Sequence, residues 1–202
     1  MSIGTQQGRY LTAADVPIAA LSNDSLIIRL FNTVNHLSRW LTPIHDRELL
    51  ERTAVFGEPS IKDLLFQLRD EELRVFPKMY LISLQADPDL DRIPPVQRRE
   101  SDLIWDENTT ALSAMAEFRR LRQSTLSLLR SMPDNAWKRS GTSRKEHDWT
   151  MRDLAEVLAE HDTIVLSKID NTLDRLGARA GLSPAARTHL DDLMRLVPVT
   201  LR

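Results

Sequence analysis

The chain has 202 residues and a mass of 23.1 kDa, a size that suits one domain around one core. Hydrophobic residues are 42% and charged residues 28%, a globular balance that excludes a disordered or collagen-like chain. A net charge of −2 gives no basic field for nucleic acid, and the absence of cysteine excludes disulfides, thiolate nucleophiles and Cys-ligated metals.

The six glycines argue against an all-β fold and against a Gly-rich phosphate loop. The first residues, MSIGTQQGRY, show no signal-peptide pattern, and no apolar run reaches the ~20 residues of a membrane span. The expectation is a cytoplasmic protein without membrane or nucleic-acid partners.

Residues 1–22 read as a polar, loosely packed arm, and residues 23–202 as a single helical domain. From Asn23, Leu26, Ile27, Leu30, Phe31, Val34, Leu37 and Leu41 form one helical stripe, with Asn23 or Asp24 as the expected N-cap. Pro43 breaks it, and a further turn or two follows through Leu49 and Leu50. Ser60 and Asp63 resemble a capping box opening a second helix. Its apolar face carries Ile61, Leu64, Leu65, Leu68, Val75, Phe76 and Met79, with Pro77 inside the pattern.

Residues 85–108 have three prolines, mixed charge and no period, so they read as a long irregular loop. A third helix starts near Thr109 or Thr110, with Met115, Phe118, Leu121, Thr125, Leu128, Leu129 and Met132 as its stripe. Pro133 stops it. A fourth has Thr150 as N-cap and Asp153 in its first turn, and carries Leu154, Val157, Leu158, His161, Ile164, Val165, Ile169 and Leu173 to a stop at Gly177. A short fifth helix starts at Ser183-Pro184 and ends before Pro198. The prediction is an all-α four-helix bundle with a short extra C-terminal helix.

Five histidines occur, His36, His45, His147, His161 and His189, and no two stand one helical turn apart. His161 alone lies on an apolar stripe of the fourth helix. An imidazole there is either a hydrogen-bonded core residue or a ligand or base at the inner face. On the second helix, Gln67 and Glu71 share a face one turn apart and can bind a small polar ligand with His161 or form an interhelical network. Asp70 and Glu72 read as solvated, and Arg119, Arg120 and Arg122 as surface residues. No G-x-S-x-G elbow supports a serine hydrolase.

Two segments, PSIKDLLFQLRDEELRVFPKM (59–79) and WTMRDLAEVLAEHDTIVLSKID (149–170), resemble the DinB-like superfamily of YfiT-type metal-dependent hydrolases, over roughly residues 24–176. The resemblance implies an up-and-down four-helix bundle with an unusual connection, often dimeric. It also implies a divalent metal, such as zinc or nickel, held by one histidine of the second helix and an HxxxH pair of the fourth. Here those positions are Gln67, His161 and Val165, so one ligand of three remains. One imidazole holds no divalent ion tightly. Valine fills the space of the missing ligand, and Gln67 is expected to hydrogen-bond His161.

The expected protein is therefore a DinB-like bundle without the metal cofactor, a homodimer that binds a small molecule or a partner through Gln67, Glu71 and His161. The alternatives are a metal-dependent thiol-transferase or hydrolase with a reworked site around His161, and a metal-free acid–base enzyme using His161 with Glu71 or Gln67.

Overall fold

A computed structural model describes residues 11–97 and 99–202; residues 1–10 of the expected arm, and Arg98, lie outside the described residues. In chain order the elements are α1 (Asn23–Leu41), α2 (Glu48–Glu51), α3 (Ile61–Leu84), α4 (Glu100–Asn108) and α5 (Ala111–Ser131). A two-stranded hairpin follows, β1 (Ser140–Gly141) and β2 (Trp149–Thr150), then α6 (Met151–Arg175), α7 (Pro184–Arg187) and α8 (Leu190–Arg195). No helix among the described residues is long and apolar enough to cross a membrane.

Local chemistry sets the helix starts. Ser60 and Asp63 form the expected capping box on α3, and Thr150 and Asp153 form another on α6. Thr110 caps α5. The cap of α1 is Ser22, one residue before the expected Asn23: its hydroxyl accepts from the Ser25 N–H at 3.2 Å. At the end of α6, Gly177 takes φ +63° and the Ala178 N–H returns to the Leu173 carbonyl, which closes the helix. Pro77 does not end α3, which continues to Leu84.

The bundle is built from α1, α3, α5 and α6. α3 packs against α5 and α6, and α1 also packs against α5 and α6, so α1 and α3 lie across a diagonal. Two apolar clusters give the helix directions. One joins Leu37 and Trp40 to Leu64, Leu68, Phe118, Val165 and Ile169. The other joins Leu26 and Leu30 to Val75, Met79, Leu129, Leu154 and Leu158. The helices therefore run up, down, down and up. The four-helix bundle is as expected, and its unusual connection is the one from α3 to α5. Those two helices are parallel, so the chain must return the length of α3, roughly 36 Å for its 24 residues.

Residues 85–110 make that return. The expected irregular loop contains a turn of 3-10 helix at Leu90–Arg92 and the nine-residue α4. α4 has no readable period because it hardly enters the core: Leu103, Ile104 and Trp105 are exposed and only Asp106 is buried. Arg69 holds Asp106 with both ends of its guanidinium, at 2.9 Å for Nη2 to Oδ2. The Leu90 N–H donates to the Thr142 carbonyl at 2.8 Å, and Gly141 has no room for a Cβ, which would meet the Leu90 side chain at 2.8 Å.

The C-terminal helix is split. α7 and α8 are separated at Thr188–His189, where the Trp40 indole donates to the Thr188 carbonyl at 2.8 Å and the Leu190 N–H donates to Asp170 at 2.9 Å. The described part of the entry arm is not loose. Ala13 and Leu21 are buried, the Ala13 N–H donates to the Val197 carbonyl at 2.9 Å, and the Ser22 N–H donates to the Thr200 carbonyl at 2.8 Å.

Between the two apolar clusters lies a polar layer. Arg122 of α5 is fully buried, not a surface residue as its charge suggested, and Glu72 of α3 is fully buried rather than solvated. Arg122 donates from Nε to Glu72, from Nη2 to Asp162 of α6 at 2.9 Å, and from Nη1 to the Leu30 carbonyl of α1 at 3.0 Å. Thr125 donates to Glu72 at 2.5 Å and Thr33 to Asp162 at 2.7 Å. Burial opposes the guanidinium charge, but the Asp162 and Glu72 carboxylates overcome it and raise the Arg122 pKa above its ordinary value. Arg29 lies near Asp162 and donates to Thr163 at 3.0 Å and to the Ala13 carbonyl at 3.1 Å.

Two predictions follow from this packing. Arg122→Leu leaves two buried carboxylates without their cation and is expected to cost about 3–5 kcal/mol in urea unfolding. Changing Glu72 and Asp162 to Leu in the same chain is expected to recover much of that loss. The second concerns His36, whose ring is buried beside Trp40 with neither nitrogen hydrogen-bonded. Burial first, then the charges of Arg39 and Arg29, lower its pKa from 6.5 to about 4. Between those values the unfolded chain binds the proton and the folded chain does not, so stability falls as pH falls. Wild-type is expected to lose roughly 3 kcal/mol more than His36→Leu across that window, read from urea unfolding at neutral and acid pH.

Candidate functional site

The buried layer sets the register of α3 against α6. Glu72 and Asp162 point inward to Arg122; Glu71 and His161 precede them by one residue, a turn of roughly 100° about each helix axis. That rotation brings both to the boundary between α3 and α6, where each is half-buried and the two interact electrostatically. Gln67 lies one turn before Glu71 and is half-buried too.

Glu71 is committed to Arg74. Arg74 donates to its two oxygens from Nε at 2.9 Å and from Nη2 at 2.5 Å. Burial works to raise the Glu71 carboxyl, but the hydrogen bonds and charge of Arg74, with smaller contributions from His161 and Lys78, hold it below the usual carboxylate range. The same pair raises Arg74 above its ordinary value, chiefly through the hydrogen bonds to Glu71. Arg74 is not among the residues singled out in the sequence, and its i, i+3 spacing from Glu71 is the signal that points to it.

The expected hydrogen bond between Gln67 and His161 is absent. Gln67 has no side-chain hydrogen bond among the described residues, and His161 Nδ1 is buried without a partner. Val165 is 1% exposed and belongs to the same apolar cluster as Leu68 and Phe118. The other histidines stand apart from this boundary in their contacts. His45 is exposed, the exposed His147 ring lies 3.8 Å from that of Trp149, and His189 lies 3.4 Å from Asp170.

Arg74 also lines a cleft of about 630 Å³ between α3 and the crossover, which Gln67, Glu71 and His161 do not line. Leu73, Arg74 and Pro77 form one wall, and Ile93 and Val96 of the crossover form the other; Lys145, from the loop between β1 and β2, stands at the rim. Asp91 fastens the crossover to that loop, accepting from the Ser143 hydroxyl at 2.8 Å and the Arg144 N–H at 2.9 Å. Lys78 is locked beneath, its ammonium 2.8 Å from both Glu146 oxygens.

No family model and no curated protein sequence matches this chain. A solved structure does match in fold: "YfiT from Bacillus subtilis", described as "a probable metal-dependent hydrolase with an unusual four-helix bundle topology". The likeness has a TM-score of 0.61 at 14% sequence identity and covers 77% of this chain and 87% of that one. The chain thus has the YfiT-type four-helix-bundle fold.

The residues present do not fit a divalent metal at the three positions that the resemblance implies. Val165 offers no lone pair and lies in the core, Gln67 offers only a neutral amide, and Arg74 occupies both oxygens of the neighbouring Glu71. His161 remains as a single imidazole. Among the described residues no three His, Cys, Asp or Glu side chains are grouped to hold an ion.

Arg74→Gln removes the partner that depresses Glu71 and leaves its burial in place. The Glu71 carboxyl is therefore expected to titrate at higher pH in the variant than in wild-type, as followed by carbon-13 NMR of the side-chain carboxyl. An unmoved titration would contradict this electrostatic account.

Proposed function

We propose that this protein is a metal-free member of the YfiT-type fold that binds a small molecule at the α3–α6 boundary and the adjoining cleft. The observation that carries the reading is the state of Glu71. It interacts electrostatically with His161, and Arg74 already holds it with two hydrogen bonds. A guanidinium held on Glu71, which also interacts with a half-buried imidazole, suits recognition of a polar ligand, and the cleft has the size of a small-molecule site. In this reading Gln67, Glu71 and His161 supply polar contacts. The exposed Leu103, Ile104 and Trp105 of α4 support a partner surface as well, including the homodimer that the resemblance implies.

A metal-dependent enzyme of the thiol-transferase or hydrolase type, reworked around His161, is the second reading. The unpartnered Nδ1 of His161 and the nearness of Glu71 favour it. It requires Arg74 to release Glu71.

Metal content separates the two. The untagged protein, incubated with zinc, nickel and manganese and then desalted, is expected to retain far less than one ion per chain by mass spectrometry, and His161→Ala is expected to behave alike. Close to one ion per chain, lost in His161→Ala, would overturn the first reading and support the second.

A further inference from the structure

We infer that the cleft between α3 and the crossover is a site for an apolar monocarboxylate, anchored by Arg74. The inference rests on the small-molecule reading above and names the ligand class. Three observations carry it: the walls, the free donors and the balance of charge.

The walls are apolar and built. Leu73 and Pro77 of α3 face Ile93, Pro94 and Val96 of the crossover across a space of about 630 Å³. Two consecutive prolines, Pro94 and Pro95, limit the backbone freedom of the crossover wall. Asp91 pins that wall to the hairpin loop through Ser143 and Arg144. A preformed apolar cleft favours a ligand with a hydrocarbon body.

The polar groups around the cleft are mostly spent. Asp70 is bound by Arg69 at 2.8 Å, and Glu146 by Lys78 at 2.8 Å. Arg74 uses Nε and Nη2 on Glu71, which fixes the plane of the guanidinium; its Nη1 has no partner among the described residues. The Lys145 ammonium at the rim likewise has no hydrogen bond or ion pair among the described residues. The donors left over are therefore one oriented arginine edge and one exposed ammonium. Both suit a carboxylate, the arginine for geometry and the lysine for charge.

The charge balance favours a singly charged ligand. Arg74, Lys78 and Lys145 line the cleft together with Asp70, Asp91 and Glu146. Among the described residues three cations and three carboxylates leave no net positive field, which disfavours a phosphate dianion more than a single negative charge. That single charge sits against Arg74 and Lys145, with its apolar chain along the proline wall. A cation finds no open carboxylate, because Asp70, Asp91 and Glu146 are all engaged.

The test uses three probes of one shape: octanoate, 1-octanol and octylammonium. Isothermal titration of the full chain measures affinity, and methyl NMR locates the probe. Octanoate is expected to bind at least about tenfold more tightly than 1-octanol, as an added charged hydrogen bond implies, and octylammonium weakest of the three. Shifts are expected at Leu73, Ile93 and Val96. Arg74→Gln is expected to remove the advantage of octanoate over 1-octanol. Ile93→Ser, at a half-buried position away from the ion pairs, is expected to weaken both. Equal binding of all three probes, binding of none, shifts confined to α4, or an octanoate affinity unaffected by Arg74→Gln would overturn the inference. Those failures leave the metal-free reading standing, because metal content decides that reading separately.

Discussion

One buried guanidinium ties the four long helices together. Arg122 of α5 reaches Glu72 of α3, Asp162 of α6 and the backbone of α1, and it does so in the layer that separates two apolar clusters. An apolar core of this kind tolerates some sliding of one helix past another. A charged layer does not, because a shift of one turn would leave a cation and two carboxylates buried without partners. The ring of Phe118, 5.0 Å from the guanidinium carbon, closes one side of the layer. The cluster therefore acts more on register than on net stability, since its attraction offsets a large cost of desolvation.

The register then decides what the α3–α6 boundary contains. With Glu72 and Asp162 turned inward, Glu71 and His161 are placed at the boundary, and Val165, one turn after His161, enters the core with Leu68. The same constraint places Arg74 where it clasps Glu71 and also lines the cleft. In a fold shared with a probable metal-dependent hydrolase, this chain has a fixed organic cation near the boundary, and the three implied ligand positions supply one imidazole.

Much of this was legible in the residues. The four long stripes, the boxes at Ser60 and Thr150, the stop at Gly177 and the break at Pro43 are local signals, and local chemistry decided them. Arg122 and Glu72 were misread because charge alone suggested a solvated face. The signal was in the spacing: Glu72 stands between Leu68 and Val75, Arg122 between Phe118 and Leu129, and Asp162 between Leu158 and Val165, each interrupting an apolar stripe at one depth. α4 was missed for the opposite reason, since a helix held by one buried ion pair and exposed elsewhere carries no period. At the site, the residues at 67, 161 and 165 were readable. The missing Gln67–His161 bond and the clasp of Arg74 depend on side-chain geometry that spacing does not contain.

The proposed metal-free reading turns on Gln67 and Val165, which stand at two of the three positions where the resemblance implies histidine. The direct measurement is zinc titration calorimetry on wild-type beside the double variant Gln67→His/Val165→His, which restores the three-histidine set around His161. The account predicts no stoichiometric zinc binding by wild-type and binding of one zinc per chain by the variant. Zinc binding of equal strength and stoichiometry in both, lost on His161→Ala, would contradict it.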